Sequence, residues 1–255
     1  MEDSYSHYSR IVENYSRYRP HYPDQLVVWL QDECGFSPHQ IVADIGSGTG
    51  LLAELFLKNG HQVYGVEPNE EMRQAAEYLL RSYPLFTSVA GTAEMTSLAD
   101  HSVDMITVGN AFHWFKHEQA RQEFLRILNP QGWVVLVWNL ERNSGSPFAV
   151  AFERFWQKHI DPAARFSKRQ RPDYVTRFFG IDNLKEKTLD NYQVCDFETL
   201  KGLALSFLKA PQPEDPRYAA MVDELQAIFS QYQEGGTVTL EYDTQVVYGQ
   251  LLVEK

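Results

Sequence analysis

The stretch 41–50 reads Ile-Val-Ala-Asp-Ile-Gly-Ser-Gly-Thr-Gly, and a helical pattern begins directly behind it. A second apolar run, 62–66, ends in Glu67. A strand, a glycine loop, a helix and a second strand with an acid at its tip make a βαβ unit, which commits the chain to a parallel sheet with right-handed crossovers. Three glycines at alternate positions let the backbone take positive φ and let a ligand approach with no Cβ in the way. An acid about 20 residues beyond such a loop is placed to accept hydrogen bonds from ribose hydroxyls. The unit therefore predicts a ligand that contains adenosine, bound at the carboxyl ends of the strands.

The spacing selects among such ligands. The dinucleotide pattern G-x-G-x-x-G needs its third glycine at position 51, which is Leu51. The acid Asp44 stands just before the loop, and a pyrophosphate beside it would be repelled. A ligand with an ammonium or sulfonium group suits that acid better. The methionine half of S-adenosylmethionine carries both, and the exposed N–H groups of the loop and helix start can take its carboxylate.

At this point the chain resembles the Rossmann-like S-adenosylmethionine-dependent methyltransferases. Asp44, Gly46, Gly48 and Gly50 are similar to that family's motif I, with Ser47 where many members have Cys. Val66-Glu67-Pro68-Asn69-Glu70-Glu71-Met72 resembles its ribose and adenine segment, and Gly91-Thr92-Ala93-Glu94 its adenine-edge segment. The run 103–111 resembles the fourth strand and its tip, and Arg126-Ile127-Leu128-Asn129-Pro130-Gln131-Gly132 the turn before the fifth. The ordered set spans 41–138. The resemblance implies a doubly wound α/β fold: a seven-stranded, mostly parallel sheet with an antiparallel C-terminal hairpin, helices on both faces, an N-terminal lid and a helical cap. The segment Asn110-Ala111-Phe112-His113-Trp114-Phe115 further resembles the fourth-strand tip of trans-aconitate-type methyltransferases, which act on small carboxylic acids.

Periodicity supplies the local elements. Strands are expected at 41–45, 62–66, 85–89, 103–108 and 133–139, and helices at 50–59, 69–82 and 117–128. Before them, a Tyr- and Arg-rich arm covers 1–22, and a helix follows with Leu26, Val27, Trp29 and Leu30 as its apolar positions. Beyond 139, helices are expected at 148–160, 198–208 and 216–232, and strands within 184–197 and 237–253. A basic patch, 168–171, reads as a solvated loop. The expected organisation is a single domain over 1–255: lid and helix over 1–40, cofactor core over 41–140, acceptor-side helices and the last two strands over 141–255.

Composition excludes several alternatives. The chain of 255 residues has 23 basic and 34 acidic side chains, a net charge of −11. That argues against a broad nucleic-acid surface, where phosphate neutralisation dominates binding. Cys34 and Cys195 are too few for a disulfide framework and lack metal-ligand spacing. The eight histidines form no ligand cluster, so no metal is expected. There is no signal pattern at the start and no apolar run of spanning length. The expectation is a reduced cytoplasmic protein, off the membrane, with its oligomeric state unread.

Methyl transfer from a sulfonium is an in-line displacement in which the protein supplies orientation and a dry site. The resemblance assigns the cofactor to Asp44, Gly46, Ser47, Gly48, Thr49, Gly50, Glu67, Pro68, Met72, Thr92, Ala93, Glu94, Asn110 and Ala111. Glu67 takes the ribose, Asp44 the ammonium, and Thr92 to Glu94 the adenine edge. In the arm, Arg17 and Arg19 are suited to bidentate carboxylate contacts. Arg19 is assigned to the cofactor, and Tyr15, Arg17, Tyr22 and Trp114 to the acceptor. His113 is the candidate general base, or a hydrogen-bonding or wall residue instead. The partner expected is a small-molecule acceptor, a carboxylate among the candidates. A methyltransferase acting on RNA or protein, and a silent S-adenosylmethionine-binding module, stay open. A nicotinamide oxidoreductase is disfavoured by Leu51 and Asp44.

Overall fold

In a computed structural model, the structure describes residues 12–159, 173–180, 182–207 and 210–251. The elements in chain order are α1 (Val12–Tyr18), α2 (Gln25–Cys34), β1 (Ile41–Ile45), α3 (Leu51–Lys58), β2 (Gln62–Glu67), α4 (Glu70–Leu79) and β3 (Phe86–Ala90). Then come β4 (Val103–Gly109), a 3-10 turn (Phe112–Trp114), α5 (His117–Ile127), β5 (Leu128–Glu141), α6 (Pro147–His159), α7 (Asp173–Phe179), β6 (Leu184–Cys195), α8 (Phe197–Leu205), α9 (Tyr218–Tyr232) and β7 (Val238–Gly249).

The strands form one seven-stranded sheet in the order β3-β2-β1-β4-β5-β7-β6. The first five pair in parallel, and the C-terminal strands run antiparallel. This is the expected doubly wound sheet. The winding reverses between β1 and β4, which leaves a crevice at their carboxyl ends, where ligands of such sheets bind. In that register Asp44 lies between Gly65 of β2 and Thr107 of β4.

The chain packs as two compact units. Among the described residues, one comprises 22–139, 173–180, 182–189 and 244–251; the other comprises 12–21, 140–159, 190–207 and 210–243. The core of the first joins Leu26, Val27 and Leu30 of α2 and Leu52, Leu55 and Phe56 of α3 to Val42, Val63, Met105, Val135 and Val137 of the strands. These are the i, i+3, i+4 positions of the helices and the inward runs of strands buried on both faces. The core of the second gathers Phe148, Phe152, Phe155 and Trp156 of α6 with Leu200 and Leu203 of α8 and Met221, Leu225 and Phe229 of α9. Among the described residues no helix is long and apolar enough to cross a membrane.

Three local expectations need correction. The Asn129-Pro130-Gln131-Gly132 stretch is not a turn before β5 but an irregularity inside it. Leu128 already pairs with Val103, and the ladder resumes at Trp133 opposite Met105. The helix expected over 69–82 stops at Leu79, where Leu80 closes it through an N–H bond to the Ala76 carbonyl. The arm is partly helical, as α1, and α7 and the 3-10 turn were not anticipated. Residues 1–11 of the expected lid, and the basic patch 168–171, lie outside the described residues.

Candidate functional site

The glycine loop leaves β1 through a turn that only glycine fits. Gly46 has φ 69°, and a Cβ there would come 2.8 Å from the Ala111 Cβ. Its N–H and that of Ser47 both donate to the Val66 carbonyl, at 2.8 and 3.2 Å, which ties the loop to the end of β2. Gly48 has φ 55° and its Cβ direction faces open space, with nothing within 4 Å. Gly50 opens α3, and Thr49 beside it is buried with its hydroxyl oxygen unpartnered.

Glu67 closes the loop from the other side. Its Oε2 accepts from the Gly48 N–H at 3.0 Å, and Oε1 accepts from the Asn69 N–H at 2.9 Å. The Asn69 side chain then caps α4 by accepting from the Met72 N–H at 2.9 Å. The Arg73 guanidinium reaches back along that helix and donates to the carbonyls of Glu67 and Pro68, at 2.9 and 2.8 Å. Burial raises the Glu67 pKa above its ordinary value, opposed by the two N–H groups and by Arg73. Each carboxylate oxygen keeps a lone pair that a ribose hydroxyl can use.

Asp44 is 1 % exposed. Its Oδ1 accepts from the Thr107 hydroxyl at 3.0 Å, while Oδ2 has no hydrogen-bond partner. Its pKa is pushed up to about 7, chiefly by burial and further by the Glu67 charge; the Thr107 hydroxyl and the Ala53 N–H oppose the rise. Two buried carboxyls on neighbouring strand ends form a site that favours a cation and disfavours a pyrophosphate.

The loop after β3 folds on itself. Thr92 and Met95 exchange backbone bonds at 3.0 and 3.2 Å, and Ala93 is buried inside. Glu94 accepts from the Lys116 N–H at 2.7 Å, which joins this loop to the start of α5. Met72 is buried and Pro68 half-buried behind Glu67.

At the tip of β4, Asn110 takes a left-handed conformation, φ 53°. That is uncommon outside glycine, although Asn tolerates it best. Its N–H donates to the Val137 carbonyl at 2.9 Å, and Nδ2 donates to the Tyr22 hydroxyl at 3.0 Å. Ala111 precedes the 3-10 turn. Phe112 is buried against Phe178, His117 and Phe115, with ring centroids 4.8, 4.8 and 5.8 Å away. His117 stacks on Tyr174 at 4.3 Å, and its Nε2 lies 3.1 Å from the Phe112 carbonyl. Held by these contacts, the turn presents His113 half-buried and Trp114 exposed. Burial and the nearby His117 push the His113 pKa down to about 4, so its ring is neutral at pH 7.

One unit thus brings together Asp44, the glycines, Ser47, Thr49, Glu67, Pro68, Met72, Thr92 to Glu94, Asn110, Ala111, His113, Trp114 and Tyr22. Tyr15, Arg17 and Arg19 belong to the other unit. There the Arg19 guanidinium lies 3.9 Å above the Phe207 ring and 5.0 Å from that of Tyr15, and donates to the Ser206 carbonyl at 3.1 Å. Arg17 lies over Tyr18 at 5.3 Å. Sequence reasoning missed Thr107, Arg73 and Tyr174. Thr107 carried a signal, since it is a polar residue inside an otherwise apolar strand; the other two carried none.

The site accepts S-adenosylmethionine on three counts. The Asp44 Oδ2 awaits a donor, the Glu67 carboxylate lies against the loop with lone pairs to spare, and the Cβ direction of Gly48 opens onto free space. Comparison with known proteins agrees. The profile of the family described as "Methyltransferase domain" matches residues 43–136. An uncharacterized methyltransferase of Schizosaccharomyces pombe is 28% identical over 221 residues, 84% of each chain. A Dictyostelium discoideum protein that carries a methyltransferase name is 30% identical over 193 residues, 71% of this chain and 69% of that one. A solved structure from Anaeromyxobacter dehalogenans that carries a type II methyltransferase name has the same fold. It matches with a TM-score of 0.66 at 20% identity, over 92% of this chain and 99% of that one.

Proposed function

The chain belongs to the Rossmann-like, S-adenosylmethionine-dependent methyltransferases, and we propose that it methylates a small-molecule acceptor, with carboxylates as the class to try first. The cofactor supplies an electrophilic methyl group on a sulfonium. In this reading Asp44 holds the ammonium, Glu67 holds the ribose hydroxyls, and Thr92 to Glu94 border the adenine. Asn110 and Ala111 fix the wall at the tip of β4, and Trp114 offers an exposed ring beside it.

The observation that carries the acceptor class is the state of His113. A ring with a pKa near 4 is a weak base at neutral pH, and efficient general bases have pKa values near the working pH. The two carboxyls with shifted pKa values here are engaged otherwise: Asp44 is 1 % exposed and accepts from Thr107, and Glu67 accepts from the N–H groups of Gly48 and Asn69. An acceptor that is already ionised, such as a carboxylate, needs no base. The net charge of −11 also disfavours an extended polyanion as acceptor.

The test is a transfer assay with methyl-labelled cofactor against a panel of small carboxylic acids, amines, phenols and thiols. The panel is run beside total RNA and a protein extract. Label in a carboxylate ester, kept when His113 is changed to Gln, supports the reading. Label only in RNA or protein overturns the small-molecule assignment. Tight cofactor binding with no transfer to any of them identifies a silent binding module instead.

A further inference from the structure

Asp44 is held as few ionised carboxylates are. It lies at the centre of the sheet, 1 % exposed, with a single side-chain donor, the Thr107 hydroxyl, on Oδ1 and no partner on Oδ2. The elements packed on it present Gly65 from β2, Thr107 from β4 and Ala53 from α3, none of them titratable. The charged group whose field reaches it is Glu67, also an acid, and Glu67 is already served by the N–H groups of Gly48 and Asn69. An isolated buried carboxylate is expensive, and the cheaper state in the absence of a cation is the protonated one.

We infer that Asp44 carries a proton in the ligand-free protein and releases it when S-adenosylmethionine binds, so that cofactor binding is coupled to proton release. The O–H bond of the Asp44 carboxyl breaks and its proton passes to the solvent buffer. The ligand ammonium then donates an N–H to Oδ2, and its positive charge replaces the proton. Glu67 keeps its backbone donors, Gly48 and Asn69, and takes the ribose. This inference rests on the cofactor assignment made above. It adds that the affinity of the site is set by pH through one named group.

The pKa of Asp44, about 7, places the transition in an accessible range. At pH 6, below that pKa, the ligand-free protein should hold most of a proton on Asp44 and at pH 8 little of it. Release per ligand bound should therefore be large at pH 6 and fall as pH rises, the more so because the ligand's own amine, with an ordinary pKa of about 7.7–8.0, takes up a proton on binding at pH 8. Affinity should weaken by about tenfold per pH unit below the midpoint. Other groups are poor sources at pH 6. His113, at about 4, has almost no proton to give, and the ligand's own α-ammonium is fully protonated before and after binding.

The experiment is calorimetric titration of the full chain with S-adenosylhomocysteine and S-adenosylmethionine at pH 6, 7 and 8. Each titration is run in two buffers of different ionisation enthalpy, which yields the number of protons released. Release near one proton at pH 6 that fades by pH 8 is the expected result. Asp44→Asn should bind more weakly, with no release at pH 6 and without the loss of affinity towards low pH. Glu67→Gln should still release the proton, with its midpoint moved down because the repelling charge is gone. Tight wild-type binding without release at pH 6 overturns the inference and leaves the cofactor assignment intact. Release that persists in Asp44→Asn and vanishes in Glu67→Gln also overturns it, by naming Glu67 as the source. Failure of both ligands to bind at every pH removes the inference and the cofactor assignment together.

Discussion

The carboxylate of Glu67 accepts the N–H of Gly48 at 3.0 Å, so the acid at the tip of β2 shapes the glycine loop as well as facing its ligand. This gives Glu67 two duties that one substitution separates. Glu67→Gln keeps the size of the side chain, but its amide has one acceptor oxygen where the carboxylate has two. Binding of S-adenosylhomocysteine should weaken by about 10- to 100-fold, in line with about 1.5–3 kcal/mol for hydrogen bonds to a charged group. Calorimetry reads this directly, and unchanged affinity would remove Glu67 from the ribose.

Gly48 tests the cradle itself. Its φ of 55° costs an L-residue about 1–2 kcal/mol, and its Cβ would point into open space. Gly48→Ala should therefore lower the melting temperature by only a few degrees. The same methyl group enters the volume assigned to the cofactor, so binding should suffer more than stability does. If the variant binds as the wild type does, the space above Gly48 belongs to something else.

Thr107→Val should destabilise the ligand-free protein more at pH 8 than at pH 5. The Asp44 pKa lies above its unfolded value of 3.8, at about 7. The native state therefore binds the extra proton in that window, and stability falls as pH rises from about 4 to 7. The Thr107 hydroxyl favours the ionised form, so removing it matters once Asp44 has ionised, by about 1–3 kcal/mol. Urea unfolding at the two pH values gives the comparison; equal losses at both would mean that Thr107 does not serve the carboxylate.

His61 predicts an acid-sensitive end of the same unit. It is fully buried, stacked on Phe36 at 4.3 Å, with Nδ1 3.4 Å from the Gln40 carbonyl and Nε2 unpartnered. Burial lowers its pKa below 6.5. As pH falls below that value the unfolded chain takes up a proton that the native state refuses, so stability drops and levels off only below the native pKa. His61→Phe, which keeps the stack on Phe36, should flatten the profile between pH 7 and pH 5. An unaltered slope would assign the acid sensitivity to other groups.

Most of the architecture was legible along the chain. The expected run 41–45 is β1 (Ile41–Ile45), and 62–66 and 103–108 fall one residue short of β2 and β4. These strands are largely buried, so their sequences are mostly apolar and the runs end at a polar residue or glycine. The departures have separate causes. β5 begins at Leu128 because its backbone finds Val103, a pairing that overrides the turn-forming Asn-Pro-Gln-Gly sequence. The helix α7 is seven residues long, too short for periodicity to reveal; its Phe178 packs on Phe112, and its carbonyl takes the Arg121 Nε at 2.9 Å.

Read along the chain alone, the residues name the ligand-binding chemistry. Glycine spacing, Asp44 and Glu67 are local signals, because backbone permissiveness and the sign of a charge belong to each residue wherever it ends up. The protonation of those residues is not local. Asp44 has a pKa near 7 because strands distant in sequence bury it, and His113 one near 4 because the folded turn buries it beside His117. The same holds for the left-handed Asn110, secured by Tyr22, 88 positions away. Desolvation and long-range hydrogen bonding depend on which surfaces meet, and only the folded chain brings those surfaces together.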